Sequence, residues 1–246
     1  MPEGPSIVLL KEALNLFVDK KIIKVTGTSR KMDYGSLSSL KIKSIKTWGK
    51  HLLIVLPDVT IRIHLLMFGS YSIDTVKKDR IPKLSLFFLG NRSLHFYACA
   101  ISLLYDPLKH LYDWTSDVLS KKWDPQKAIS KLNTHPGVLV CDALLNQEIF
   151  AGSGNIIKNE TLFRSKIHPL SKLGKLPSTV KKRMVNEVVV YSKLFLKWKR
   201  KNMLKRNWLA YAKKSCPRDH TPLTKEYLGR TQRRTFYCKK CQKLYK

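Results

Sequence analysis

Two stretches combine residue types whose spacing could do chemistry. The first is Met1-Pro2-Glu3-Gly4-Pro5. With Met1 removed, which the small Pro2 behind it permits, the chain begins with a secondary amine one residue from a carboxylic acid. Such an amine attacks electron-poor carbon and forms a Schiff base, and the neighbouring acid can protonate a leaving group or carry protons afterwards. On five residues alone, the plain alternative is a proline-containing tail with one incidental Glu. The second stretch is Cys216-x3-His220-x17-Cys238-x2-Cys241. Four soft-to-borderline ligands in two close pairs match one tetrahedral, structural Zn2+. With four protein ligands no coordination position remains for water, so this ion is expected to fold its unit and do no chemistry. Between the pairs lies Gln232-Arg233-Arg234-Thr235-Phe236-Tyr237, a basic hairpin suited to a DNA backbone. Cys99 and Cys141 sit alone in apolar surroundings and read as small buried hydrophobes, so the cysteines do not suggest a disulfide framework.

The rest of the chain must position these groups. At 246 residues and 43% hydrophobic content it can bury a real core. Without a membrane-length apolar run or a signal peptide it reads as soluble and intracellular. Its 47 Lys+Arg against 17 Asp+Glu give a formal charge of +30, which favours a polyanionic partner. From Val180 to Lys246 there are 21 basic and 3 acidic residues, so this part is expected to lie along phosphates.

Ser6 to Phe17 carries helical spacing, with Leu10, Ala13, Leu14 and Phe17 on one face, and would fix the terminal amine at the head of a packed helix. From Ile22 to about Tyr105, short β-branched and aromatic runs separated by turns predict an antiparallel sandwich or barrel. Within it, Trp48-Gly49-Lys50-His51 reads as a hairpin projecting Lys50, and His64 to Gly69 as a second tip bearing Met67 and Phe68, either core residues or wedges for a base stack. Asp, Pro, Trp and Lys around residues 109–127 suggest a linker. One helix is expected over Val138–Ile149, a tight Phe150–Asn155 turn after it, then helices over Ile156–Ser165 and about Ser178–Ala212. The amides of Gly154 and Asn155 would offer a phosphate seat at a helix N-terminus.

Taken in order, these pieces resemble the formamidopyrimidine-DNA glycosylase and endonuclease VIII family along the whole chain. The anchors are Met1–Pro5, Gly49-Lys50-His51-Leu52-Leu53, His64-Leu65-Leu66-Met67, Ala151-Gly152-Ser153-Gly154-Asn155-Ile156, Leu162-Phe163-Arg164 with Ile167-His168-Pro169, and Gln232 to Cys238. The resemblance implies an α+β multidomain fold. Residues 1–112 would form a β-sandwich domain with an N-terminal helix, 113–130 a linker, 131–212 a helix-two-turn-helix domain, and 213–246 a zinc-finger hairpin.

The implied function is base excision repair by a monomer acting on damaged DNA, double- or single-stranded, with no membrane partner. An oxidised base is flipped into a cleft between the domains, Pro2 attacks C1′, Glu3 moves protons, and β-elimination, with δ-elimination able to follow, nicks the strand. Lys50, grouped with the catalytic residues, would grip phosphates along with His64, Asn155 and Arg233, while Met67 would fill the vacated stack. His220 as second ligand resembles the Cys-His-Cys-Cys branch of Nei-like enzymes. Ser6 replaces a second acid often found near the first helix start. The arginine and phenylalanine wedge of purine-directed members has no counterpart in Leu94-His95-Phe96-Tyr97-Ala98-Cys99. That gap, with the short segment before Cys216, points to oxidised pyrimidines and hydantoins, in single-stranded or bubble DNA as well. The composition is compatible with a viral or AT-rich-genome source and leaves nuclear, cytoplasmic and viral locations open. A non-catalytic, basic, zinc-containing nucleic-acid-binding protein is the alternative; it explains charge and zinc but not Pro2-Glu3.

Overall fold

The computed structural model describes residues 2–28 and 33–246; Met1, whose removal the amine chemistry requires, lies outside the described residues. Two compact units are present. The first comprises Ser6–Tyr112 with Pro2, the second Asp113–Lys246 with Glu3–Pro5.

In the first unit, helix α1 (Gly4–Leu14) precedes β1 (Ile22–Gly27), β2 (Ser44–Trp48), β3 (His51–Val55), β4 (Thr60–His64), β5 (Ser70–Ile73), β6 (Leu84–Phe88), β7 (Arg92–Tyr97) and β8 (Ala100–Leu104), and the short α2 (Leu108–Leu111) follows. The strands make two four-stranded antiparallel sheets, ordered β1-β6-β7-β5 and β2-β3-β4-β8. One core holds Ile22, Leu86 and Phe96 from the first sheet, Leu52, Ile54 and Ile63 from the second, and Ile7, Leu10 and Leu14 from α1. This is the expected sandwich with its helix. Each buried branched side chain in it contributes roughly 1.5–3 kcal/mol relative to exposure. β8 carries no alternation of β-branched residues and reads poorly as a strand. It forms because Ile101 and Leu103 lie opposite Ile63 and Ile61 of β4.

The second unit contains α3 (Pro125–Asn133), α4 (Val140–Ala143), α5 (Asn155–Arg164), α6 (Ser178–Arg200) and a hairpin of β9 (Thr224–Leu228) with β10 (Arg233–Tyr237). Residues 113–130, read as a linker, are instead built into this unit. Asp113 pairs with Lys127 and Lys131 at 3.0 Å each, and the Asp124 side chain caps α3 through the amides of Gln126 and Lys127. The single helix expected over 138–149 reduces to the four residues of α4, because the chain turns repeatedly to bury Val140, Cys141, Leu144 and Phe150. α6 ends at Arg200 rather than near Ala212, and its core face runs through Met184, Val188, Tyr191 and Phe195. Among the described residues no helix is long and apolar enough to cross a membrane.

Candidate active site

In the second unit the site is organised by Glu3, whose side chain is fully buried. Its Oε1 accepts from the amide of Ile156 at 2.7 Å and its Oε2 from that of Ile157 at 3.1 Å. A helix leaves its first amides without intrahelical partners, and a carboxylate there satisfies them while meeting the positive end of the helix dipole. α5 is thus capped by a residue 153 positions away. The Gly4 amide donates to the Gly152 carbonyl at 2.9 Å and fixes the backbone beside Glu3. Gly154, the residue before α5, has an extended backbone that any residue can adopt. Its lack of a side chain matters because a Cβ there would lie 2.4 Å from Glu3 Cδ and 2.7 Å from Oε1.

One turn along, Lys158 is fully buried and donates to Thr235 Oγ1 at 2.7 Å. Burial pushes its ammonium down to about 8, and Arg233 lowers it too, against the opposing pull of Cys141, Asp142 and Glu3. Asn159 accepts from the Phe236 amide at 2.6 Å, and Asn155 donates to the Arg234 carbonyl at 2.9 Å. These three α5 side chains hold β10 and so set where half-buried Arg233 starts. The side chain of Asn155, a residue expected to grip phosphate, is turned onto protein backbone, with its carboxamide oxygen buried and unsatisfied. Glu160, fully buried, accepts from the amides of Leu209, Ala210 and Tyr211 at 2.9–3.0 Å and anchors the chain leading to Cys216. Lys158, Asn159 and Glu160 were missed by sequence reasoning. Charged residues inside the helix following the glycine turn were the available signal.

At the hairpin base, Cys216, Cys238 and Cys241 gather with Asp219, their ligand atoms all within 4.8 Å of one another. Three thiols and a carboxylate suit Zn2+, so the donor set fits the ion expected from the spacing. The expected second ligand, His220, is not in this group. It is exposed and has φ 59°, while Asp219 turns inward, accepting from Thr221 Oγ1 at 2.6 Å and from Cys238 Sγ at 3.2 Å.

In the first unit, the β2–β3 turn places Lys50 next to His51, and register sets His51 opposite His64 across β3 and β4. Their rings meet edge-on at 5.4 Å, His51 Nδ1 lies 3.3 Å from the Tyr112 hydroxyl, and Tyr112 packs on Trp48 at 4.9 Å. Tyr112 was not anticipated. Burial, then His64, Arg62 and Lys50, push His51 down to about 4, and burial with Lys50 and Arg62 lowers His64 as well. At neutral pH His51 is therefore an uncharged hydrogen-bonding group, with positive charge supplied by Lys50 and Arg62. The unfolded chain protonates His51 near 6.5 and the folded chain only near 4, so unfolding takes up a proton between these values and stability falls as pH drops through that window. His51→Gln is expected to show a smaller loss of urea midpoint between about pH 7 and about pH 4.5 than the wild type; an equal loss would mean the imidazole is not held neutral. Met67 is 46% exposed in the β4–β5 turn, not core.

Residues 1–98 match the formamidopyrimidine-DNA glycosylase N-terminal domain. The formamidopyrimidine-DNA glycosylase of Oceanobacillus iheyensis is 30% identical over 76% of this chain and 74% of its own length. The chain belongs to the formamidopyrimidine-DNA glycosylase and endonuclease VIII family. Within that family, endonuclease 8-like 2 of Mus musculus is 27% identical over 98% of this chain and 96% of the relative. The fold of the Lactococcus lactis formamidopyrimidine-DNA glycosylase, solved bound non-covalently to DNA containing an AP site, superposes with a TM-score of 0.87 at 21% identity, covering 98% of this chain and 99% of the other. Glu3, Gly154 and α5 thus lie in a chain whose relatives are named for removing bases from DNA or for cutting it.

Proposed function

We propose that this protein is a bifunctional DNA glycosylase and AP lyase of base excision repair, working through a Schiff base on Pro2. With Met1 removed, the Pro2 lone pair attacks C1′ of a flipped nucleotide. The bond from C1′ to the base breaks, and its electron pair leaves with the base, which takes up a proton. Pro2 then loses its own proton, and its lone pair forms the C1′=N iminium as the C1′–O4′ bond breaks, its electron pair leaving on O4′, which takes up a proton. Removal of a C2′ proton expels the 3′ phosphate oxygen and nicks the strand by β-elimination; the same logic at the 5′ phosphate gives δ-elimination. Glu3, adjacent to Pro2 and held on α5 by two amides, is the group that moves protons, and its placement is the observation that carries this reading.

Lys50, His64 and Arg233 contact phosphates, with Lys50 beside the reacting sugar, and Met67 fills the stack left by the flipped nucleotide. Asn155 joins them when its amide exchanges the Arg234 carbonyl for a phosphate oxygen. Cys216, Cys238 and Cys241, completed by Asp219 or His220, would hold one Zn2+. That ion supplies a structural cross-link and no chemistry. Oxidised pyrimidines and hydantoins are the preferred bases, single-stranded and bubble DNA are accepted, and the enzyme acts as a monomer.

Sodium borohydride reduction of a mixture with an abasic strand tests the proposal. Correctly processed protein is expected to give a covalent protein-DNA adduct on a denaturing gel, and protein retaining Met1 none. No adduct from processed protein would leave a basic, zinc-containing nucleic-acid binder in its place.

A further inference from the structure

One turn into α5 the chain buries a full positive charge. Lys158 has no exposed surface, and its ammonium, with three N–H donors, meets one acceptor, Thr235 Oγ1 at 2.7 Å. Among the described residues no carboxylate forms an ion pair with it. Tying α5 to β10 does not call for a cation, because Asn155 and Asn159 already do so with uncharged carboxamides. An ammonium held out of water is costly, and a hydrogen bond to one threonine does not offset that cost.

The charged and titratable groups around Lys158 come from three directions. α4 supplies Cys141 and Asp142, β10 supplies Arg233, and Glu3 sits at the head of α5. Burial pushes the Cys141 thiol up to about 11, so it is neutral near pH 7. Asp142 accepts from the Arg230 amide through both oxygens, at 2.9 and 3.0 Å, and so anchors the β9–β10 turn. Arg233 repels the ammonium. Glu3 accepts from the Ile157 amide, one residue before Lys158, and helical side chains lean back toward the N-terminus, which is where Glu3 lies. Both side chains are fully buried, so little water screens one from the other. From α6, Tyr191 faces Glu3 as well; burial first, then Glu160 and Glu3, hold its phenol neutral. With its own value pushed down to about 8, chiefly by burial, Lys158 keeps its charge at neutral pH and loses it just above.

We propose that Lys158 is a positioning residue for base release: its buried ammonium keeps Glu3 a carboxylate seated on the α5 amides, and so sets the pH range over which Glu3 moves protons. This inference rests on the glycosylase reading.

The test is the pH profile of single-turnover base release by correctly processed protein. Glu3→Gln identifies the limb that reports Glu3, because that limb disappears from its residual activity. Lys158→Met keeps an unbranched, buried side chain and removes its charge. Apolar replacements of buried charges are commonly neutral or stabilising and Glu3 keeps its two amides, so the fold is expected to hold. Loss of the cation makes the carboxylate easier to protonate, so the Glu3 limb is expected to move to higher pH by about one unit. Thr235→Val removes the hydrogen bond and leaves the cation, and its limb is expected to stay at the wild-type position. An unmoved limb in Lys158→Met, or equal shifts in the two variants, would reduce Lys158 to a tie between α5 and β10 and overturn the proposal. Should Lys158→Met not fold, the wild type decides. The carboxyl carbon-13 resonance of Glu3, assigned by its absence in Glu3→Gln, is expected to shift as Lys158 loses its proton at about pH 8, and a flat resonance there overturns the proposal. Borohydride trapping of wild-type protein on an abasic strand is run in parallel. An adduct with an unmoved limb sinks this inference alone, whereas absence of the adduct sinks the catalytic reading itself.

Discussion

Gly154→Ala is expected to lower base release and strand nicking by at least about 10²-fold, the scale of loss that follows when a catalytic group is displaced by about an ångström. The backbone at Gly154, with φ −130° and ψ −163°, is open to alanine, so no conformational penalty clouds the result. The conflict is purely spatial. A new Cβ would sit 2.4 Å from Glu3 Cδ and 2.5 Å from Cγ, too close for any rotamer change at the carboxylate tip to relieve. Either Glu3 withdraws and leaves the buried Ile156 and Ile157 amides unpaired, at about 1–3 kcal/mol each, or α5 shifts and carries its hold on β10 with it. Both displace the acid next to Pro2. Glu3→Gln separates geometry from proton transfer, since its side chain is the same size and can still accept from one amide. It is expected to lose about 10²- to 10⁴-fold in single-turnover excision with the fold retained. Gly137→Ala is the control, because nothing lies within 4 Å of its Cβ position. A Gly154→Ala enzyme with wild-type rates would mean that Glu3 can leave the α5 amides without consequence, and its role in moving protons would have to be withdrawn.

The same contrast marks what was legible in the sequence. Local patterns and spacings were readable: β-branched runs announced the sandwich, and the cysteine spacing announced that Cys216, Cys238 and Cys241 gather in one cluster. Long-range partnerships were not. Nothing in the order of residues says that Glu3 caps a helix beginning at Asn155, or that Glu160 holds the amides of residues 209–211, because each depends on how the chain returns to itself. Some misses were errors of weight. Asp124-Pro125 is an N-cap followed by proline at the first helical position, a helix start read as a linker because Trp and Lys surround it. Apolar content over 138–149 suggested a helix, but Val140, Cys141, Ala143, Leu144 and Ile149 all enter one core from a chain that turns repeatedly.

Cys238→Ala is expected to release the metal, unravel the β9–β10 hairpin and weaken DNA binding by more than about tenfold, while the first unit stays folded. A structural zinc contributes on the order of 10–16 kcal/mol in isolated finger peptides, far more than the hairpin's five paired positions can supply without it. The loss of DNA binding follows because Arg233 opens β10 and the Cys238 backbone amide, through Gln242, ties the strand's end to the Ile167 carbonyl. The core of the sandwich draws on none of these residues. Titration with a chelator should reproduce the effect, with hairpin protection lost before the sandwich unfolds. The fourth ligand can be decided in the same experiment. Three thiolates on Zn2+ already leave one net negative charge, so a carboxylate adds a second while a neutral imidazole adds none. Asp219 also has partners within the protein, since Thr221 donates to its Oδ1 from both the amide and the hydroxyl. His220→Gln is therefore expected to lower bound zinc measured by mass spectrometry under native conditions, with Asp219→Asn retaining it. The reverse pattern would assign the fourth position to the Asp219 carboxylate, which lies among the thiols.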